Sequence, residues 1–410
     1  MTDDSEPTSE DKRSPLRRLI ASRSFVALFA ASALAYGGEQ MRLAAQSWWI
    51  LEEGGSKSEM GLAAGLRFIP VVVISLYAGV MIDRFGGKRM MILERGVLIF
   101  LAIITAAILL FDRVEIWHIV ALSTLAGSTI AFGRPAETTI VADVVPRDML
   151  QPANSMNQMG DALGRTLGPL LAGILIAIKS AALAFFGLAV VYFLSLLTVF
   201  GIRAKHTPST NSGSATSEIR AGLRYVGETS ILKWTIVISG ALLFFGMVFA
   251  IVPVYAHDVL EVNEVQFGWM WGATAIGQVT ASLTVVAKGG FKKLSTGMVS
   301  GALVFSVGFL GFGLSQNYYL SLVMLFITGM GFPLWTSSIR TMLQSHSKPE
   351  YLGRVMAVFT ISIQGQYIGW ILSGVLMDTI GNFPTVLVAV FGGLTIVLIT
   401  MVSSKEFRSA

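Results

Sequence analysis

The residues Gly79-Val80-Met81-Ile82-Asp83-Arg84-Phe85-Gly86-Gly87-Lys88-Arg89 form a short polar turn between two apolar runs. The runs, 60–82 and 90–111, are each as long as the ~20 residues with which a helix crosses ~30 Å of hydrocarbon. A basic turn between two such helices stays in water on one side of a membrane, and here Arg84, Lys88 and Arg89 hold it there. Gly79 lets a neighbouring helix come close. Asp83 can pair with basic groups that exchange partners when the helices move.

Outward from this turn the pattern repeats. Apolar spans are read at 24–50, 60–82, 90–111, 116–140, 153–178, 181–202, 231–256, 266–286, 294–314, 319–342, 354–377 and 384–403. Of the 410 residues 53% are apolar and 13% charged, against about a quarter charged in soluble domains. That excludes an ordinary water-soluble enzyme. With no cysteine, neither a disulfide nor a thiolate metal site can form. The expected class is an all-α membrane protein with twelve transmembrane helices.

The formal charge of +5 follows topology and does not call for a nucleic-acid partner. If the N-terminus lies inside, the outer loops carry only Lys57, Arg113 and Lys179. The inner connections carry Arg84, Lys88 and Arg89, then Arg147, Arg203, Lys205, Arg220, Arg224, Lys288, Lys292, Lys293, Lys348, Lys405 and Arg408. This asymmetry predicts a multi-pass protein of the cell membrane with both termini cytoplasmic. The polar stretch 1–23 reads as a cytoplasmic tail ahead of a retained first helix.

Thr207–Ser217 is a Ser/Thr-rich linker. Glu218–Gly227 spaces Ile219, Leu223 and Val226 on one helical face, as a helix lying on the membrane surface would. The chain therefore divides into a bundle at 24–202, a linker at 203–230, a second bundle at 231–403 and a tail at 404–410. The bundles echo one another. Lys88-Arg89 recurs 204 positions on as Lys292-Lys293, Gly133-Arg134-Pro135 recurs 198 on as Gly331-Phe332-Pro333, and Gly168 and Gly173 recur 201 on as Gly369 and Gly374. Two parallel six-helix repeats imply a central cavity between them.

The turn at 79–89, the chain length, the twelve spans and the repeat together resemble the major facilitator superfamily, in particular its drug and metabolite exporters of the macrolide-efflux and enterobactin-exporter type. Gly38-Glu39 resembles the Gly-acidic pair in the first helix of those exporters. The resemblance implies the major facilitator fold and a conformational latch at Gly79, Asp83, Arg84, Gly86, Lys88 and Arg89. Gly164, Gly168, Pro169 and Gly173 resemble the fifth-helix motif of exporters; small residues there let helices touch, and Pro169 removes a backbone donor.

Charges inside a bilayer cost several kcal/mol unless paired or wetted. Counted at ~1.5 Å per residue from the inner helix ends, Glu39, Arg67 and Arg165 lie roughly 20 Å up. Arg42 follows Glu39 by three residues and Asp161 precedes Arg165 by four, so each pair can share a helical face. Glu39, Arg42, Arg67, Asp161 and Arg165 are therefore candidates for a proton-coupling relay, with Glu39 or Asp161 carrying the proton. The alternative is permanent salt bridges that pin the helices. Glu94, Arg95, Arg134 and Glu137 lie nearer the inner ends and suggest a cytoplasmic gate.

The second half offers Phe245, Trp271, Gln278, Trp335, Gln364, Gln366 and Tyr367 for a largely apolar substrate cavity. Trp117 reads as an interfacial belt residue and His118 as solvated. No phosphate-binding loop and no metal-ligand spacing is present, so neither a cofactor nor an enzymatic reaction is expected. The sequence predicts a monomeric secondary transporter in contact with lipid, exporting a small amphiphilic organic molecule against protons. Lysophospholipid translocation or uptake, and a non-transporting sensor, are the alternatives.

Overall fold

The computed structural model describes residues 15–111, 114–146, 149–203, 215–287, 291–348 and 351–409. Lys12, Arg13, Arg113, Arg147, Lys205, Lys288 and most of the Ser/Thr-rich linker lie outside them, as do the Asp83 side chain and the surroundings of Gly79. Lipid offers no hydrogen-bond partners, so a chain this apolar must satisfy its backbone within helices. No strand occurs among the described residues.

The first pass is Arg23–Glu52, begun by Ser22, whose hydroxyl accepts from the Phe25 N–H at 3.3 Å. Lys57–Gly65 and Phe68–Phe85 make the second pass, Gly87–Ile108 the third, and Ile116–Ser128 with Ile130–Val144 the fourth. Leu150–Ile178 and Ala181–Phe200 are the fifth and sixth. The seventh is broken into Ser230–Ser239, Leu242–Phe245, Val248–Val254 and a π-helical turn, Tyr255–Val259. Glu264–Ala287, Leu294–Leu314 and Tyr318–His346 follow, then Leu352–Ile363 with Gly365–Thr379 as the eleventh and Asn382–Ser403 as the twelfth. Among the described residues nine passes are long and apolar enough to cross a membrane by composition alone. The first, second and eighth complete a set of twelve. An even number of passes returns the chain to the end at which it started, here called the terminal end; the opposite end is the far end.

The turn at 79–89 is built as its composition suggests. Gly86 takes φ +87°, a conformation that only glycine adopts freely, and ends the second pass as the third begins. Gly87 packs where a Cβ would meet the Ala136 carbonyl at 2.9 Å. Lys88 Nζ donates to the carbonyls of Phe200 and Ile202, at 3.0 and 2.6 Å, at the end of the sixth pass. A cation is favoured at that helix C-terminus. Arg84 and Arg89 are exposed.

Between the halves runs the surface helix Ala215–Glu228. Val226 is buried in it and Leu223 is 54% exposed. Tyr225 stacks on Tyr351 with ring centroids 4.3 Å apart, and Gly222 lies against the Arg354 backbone.

Two seams join the halves, and glycine allows both. In the first, Gly61 and Gly65 of the second pass face the carbonyls of Trp370 and Tyr367, and Gly374 faces that of Lys57. In the other, Gly173 of the fifth pass faces the Glu264 carbonyl, and a Cβ on Gly268 would lie 3.0 Å from Leu170 Cα. Lys57–Gly65 packs extensively on Gly365–Thr379, whereas among the described residues the terminal-side segments Phe68–Phe85 and Leu352–Ile363 have no comparable contact. The halves are closed toward the far end and part toward the terminal end.

Candidate functional site

A carboxylate is brought into the middle of the first half by the first pass. Gly38 makes room for it: a Cβ there would meet the Tyr192 ring at 2.7 Å. Glu39 then accepts from Arg42 Nε at 3.1 Å and Nη2 at 2.9 Å, and also from Arg67 Nη1. All three are buried. Arg42 Nη1 donates to Gln46 Oε1 at 2.7 Å, and that oxygen also accepts from Ser123. Two guanidinium groups on one buried carboxylate satisfy its oxygens and leave the cluster one positive charge in excess.

Arg67 lies where the second pass breaks, between Lys57–Gly65 and Phe68–Phe85. Its guanidinium carbon is 4.6 Å from the Tyr367 ring centroid and 5.1 Å from that of Trp370, both on the eleventh pass. A desolvated cation on aromatic faces is worth about 2 kcal/mol. Arg67 thus binds Glu39 in its own half and the aromatic pair in the other.

A second tier lies nearer the terminal end. Asp161 receives Arg134 Nη2 at 3.0 Å and Nη1 at 3.3 Å, while Glu137 lies 3.8 Å from Arg134. Glu94 pairs with Arg95, whose Nε donates to Ser195 at 3.0 Å, and Ser195 donates to the Ala31 carbonyl at 2.7 Å. Glu94 fits because Gly133 opposite has no side chain.

This corrects one expectation. Asp161 does not pair with Arg165, because Arg134 reaches it from the fourth pass and occupies both oxygens. Asp161, four residues before Arg165, lies below the level counted for Glu39, Arg67 and Arg165. Gly164 and Gly168 lie against Gly37, which sets the fifth pass against the first; Asp161 is then about 7 Å nearer the terminal end than Glu39 at ~1.5 Å per residue. Asp161 joins Arg134 and Glu137, two of the four residues assigned to an inner gate. Pro169 lies within the continuous helix Leu150–Ile178.

Arg165 instead lines a cavity of about 540 Å³, its guanidinium 5.3 Å from the Tyr36 ring and 6.0 Å from that of Phe332. Phe245, Trp271 and Gln278 line it too. A second space of about 350 Å³ toward the first seam shares Gln40, Phe249 and Trp271 with it and is closed by Trp370. Trp335 stands behind Phe245, edge-on at 5.9 Å, and Gln364, Gln366 and Tyr367 line neither space.

Sequence reasoning missed several participants. Gln46, one turn after Arg42, and Trp370, three residues after Tyr367, share helical faces with residues already chosen, and that spacing could have found them. The far-end tie gave no such signal. There Lys57 Nζ lies 3.1 Å from Asp258 and donates to Asn382 at 2.8 Å, while the Ser58 N–H donates to Asp378 at 2.8 Å. Asp378 sits at the N-terminus of the helix Lys57–Gly65, where backbone N–H groups favour an anion.

A family model for the Major Facilitator Superfamily matches residues 28–373. The chain belongs to that superfamily. This facilitator is a multi-pass membrane transporter and not an enzyme. It is 25% identical over 389 residues to the multidrug efflux pump Tap of Mycolicibacterium fortuitum, covering 92% of each chain. It is 21% identical over 377 residues to the staphyloferrin A transporter of Staphylococcus aureus, covering 91% of this chain and 94% of that one. To the enterobactin exporter EntS of Escherichia coli it is 25% identical over 364 residues, 85% of this chain and 83% of the relative. A bacterial homologue of the human lysosomal transporter Spinster, solved in an inward-facing and unoccupied conformation, shares the fold with a TM-score of 0.74 at 12% identity, over 94% and 97% of the two chains. The nucleoside transporter NupG matches with a TM-score of 0.73 at 11% identity, over 93% of this chain and 100% of that one.

Proposed function

We propose that this facilitator exports a small amphiphilic organic compound, a drug, siderophore or metabolite, from the cytoplasm by alternating access, coupled to protons entering through Glu39. The observation that carries the reading is the double attachment of Arg67. Its guanidinium binds the Glu39 carboxylate and lies on Tyr367 and Trp370 of the opposite half. A proton on Glu39 removes the charge that orients Arg67, and with it part of what holds the far end closed.

Export is supported by the efflux functions named for relatives that align over most of the chain. The positive-inside asymmetry supports cytoplasmic termini, so the terminal end, toward which the halves part, faces the cytoplasm. The latch is the turn at 79–89, with Gly86 and Lys88 fixing the second pass to the sixth. Arg134, Glu137 and Asp161, with Glu94 and Arg95 beside them, form the inner gate. One chain encloses the cavity between its own halves, so a monomer suffices, with lipid covering exposed apolar residues such as Phe100 and Val402.

The test uses reconstituted vesicles loaded with a fluorescent amphiphile, with and without an imposed pH gradient. Wild type is expected to move the dye only with the gradient, Glu39→Gln to lose gradient-driven movement, and Asp161→Asn to retain it at reduced rate. Proton-driven transport surviving in Glu39→Gln would sink the coupling assignment. Competition by lysophospholipid alone, with no dye movement, would favour lipid translocation.

A further inference from the structure

Arg165 is a cation at the edge of an otherwise apolar cavity. The carboxylate best placed to neutralise it, Asp161, lies one turn away on the same helix, but both of its oxygens are taken by Arg134. What Arg165 has is two aromatic faces, Tyr36 from the first pass and Phe332 from the tenth. Cation–π contacts offset only part of the cost of a charge in such surroundings. The lining also includes Phe245, Phe249, Trp271 and Phe305, with Gln40, Gln278 and two threonines as hydrogen-bonding groups.

The surrounding charges do not cancel. Arg340 of the tenth pass lies within electrostatic reach of Arg165, Arg134 and Asp161. Three arginines, Arg134, Arg165 and Arg340, therefore face two carboxylates, Asp161 and Glu137, an excess of one positive charge where the halves part. A guanidinium presents a fork of N–H donors suited to a carboxylate or sulfonate.

We propose that the cavity between Arg165 and the aromatic wall of the second half selects amphiphiles carrying one anionic group, with the anion on Arg165 and the ring system against Phe249 and Trp271. The inference rests on the cavity being the substrate site of the exporter described above, and it names the charge class of that substrate.

The test is equilibrium binding to the full-length protein in a non-ionic detergent, without any gradient. Two probes share one ring system and differ in charge: dansylglycine, an anion, and dansylamide, which is neutral. Binding is read as energy transfer from tryptophan to the dansyl group, and Trp271→Phe is expected to weaken that signal if the probe sits in this cavity. Wild type is expected to prefer the anionic probe by about tenfold, Arg165→Gln to bind both alike, and Arg165→Lys, which keeps the charge, to retain most of the preference. Equal binding of the two probes by wild type overturns the proposal, as does a preference that survives Arg165→Gln. Loss of the preference in both variants overturns it too, because packing and not charge would then be responsible. An anion preference in a protein that moves neither probe across vesicles under a pH gradient would leave this site standing and remove the export reading.

Discussion

The fifth and eleventh passes occupy corresponding places in the two halves. Gly168 lets the fifth pass approach Gly37 of the first, and Gly369 lets the eleventh approach Leu243 of the seventh. Five residues further on, Gly173 meets the backbone of the eighth pass and Gly374 that of the second. The backbone arrangement is repeated, but the chemistry is not. At the offset of 201 that relates these glycines, Asp161 and Arg165 correspond to Ser362 and Gln366, while Arg134 corresponds to Phe332 through the shared Gly-x-Pro. Ser362 makes a hydroxyl contact of 2.7 Å with Ser239, where Asp161 holds a guanidinium. The repeat supplies two like seams about which the halves can rock, and the carboxylates Glu39, Glu94, Glu137 and Asp161, all in the first half, let a change of ionisation act on that half against the other.

The largest expected effect is at Arg67, which belongs to the seam of the second and eleventh passes. The seam of the fifth and eighth is closed by backbone contact at Gly173 and Gly268 instead. Arg67→Gln leaves the Glu39 carboxylate to Arg42 alone and takes the cation from between Tyr367 and Trp370. Glu39 keeps its Arg42 partner, so the loss is one hydrogen bond between charged groups, about 1.5–3 kcal/mol, together with the cation–π contact, about 2 kcal/mol, and the melting temperature in detergent is expected to fall by several degrees. An unchanged melting temperature would mean that the two seams are held alike and that the charge adds nothing.

Next comes the glycine contact itself. Gly374→Leu and Gly173→Leu each drive a side chain into the backbone of the other half, and overpacking of this kind costs about 1–3 kcal/mol. The chain has no cysteine, so Ser47→Cys, lining the space beneath the first seam, can be labelled without background. Both leucine variants are expected to raise its labelling by a membrane-impermeant maleimide added at the far end. A rise in one and not the other would break the equivalence of the seams.

How far the sequence carried depended on the range of each interaction. The twelve passes were legible because lipid forces every span to be a long apolar helix, and the repeat was legible because Gly133-Arg134-Pro135 and Gly331-Phe332-Pro333 punctuate corresponding helices. The pairing of Glu39 with Arg42 was within reach for a similar reason, being three residues apart on one helix. Asp161 went to Arg134 and not to Arg165 because the rotation of the fourth pass against the fifth decides it, and an apolar span hardly encodes its own rotation. Lys57 with Asp258, and Ser58 with Asp378, lay beyond reach altogether, since more than 200 residues separate the partners of the first pair and 320 those of the second. Those contacts exist only once the two halves have docked.

The smallest effect separates the two Gly-x-Pro turns. Arg134→Gln leaves Asp161 without its guanidinium, yet the Arg134 side chain is 43% exposed, so water can take over part of the solvation and the loss is expected near 1 kcal/mol. Phe332→Leu, the equivalent position, removes an aromatic face from Arg165 and no ion pair, and is expected to cost less than that. Thermal unfolding of the two variants side by side measures the difference. Similar losses would mean that the Arg134 pair is as dispensable as an apolar contact. In that case the first half would be distinguished by the buried cluster around Glu39 alone, and the terminal-end tier would serve to pack the fourth pass against the fifth.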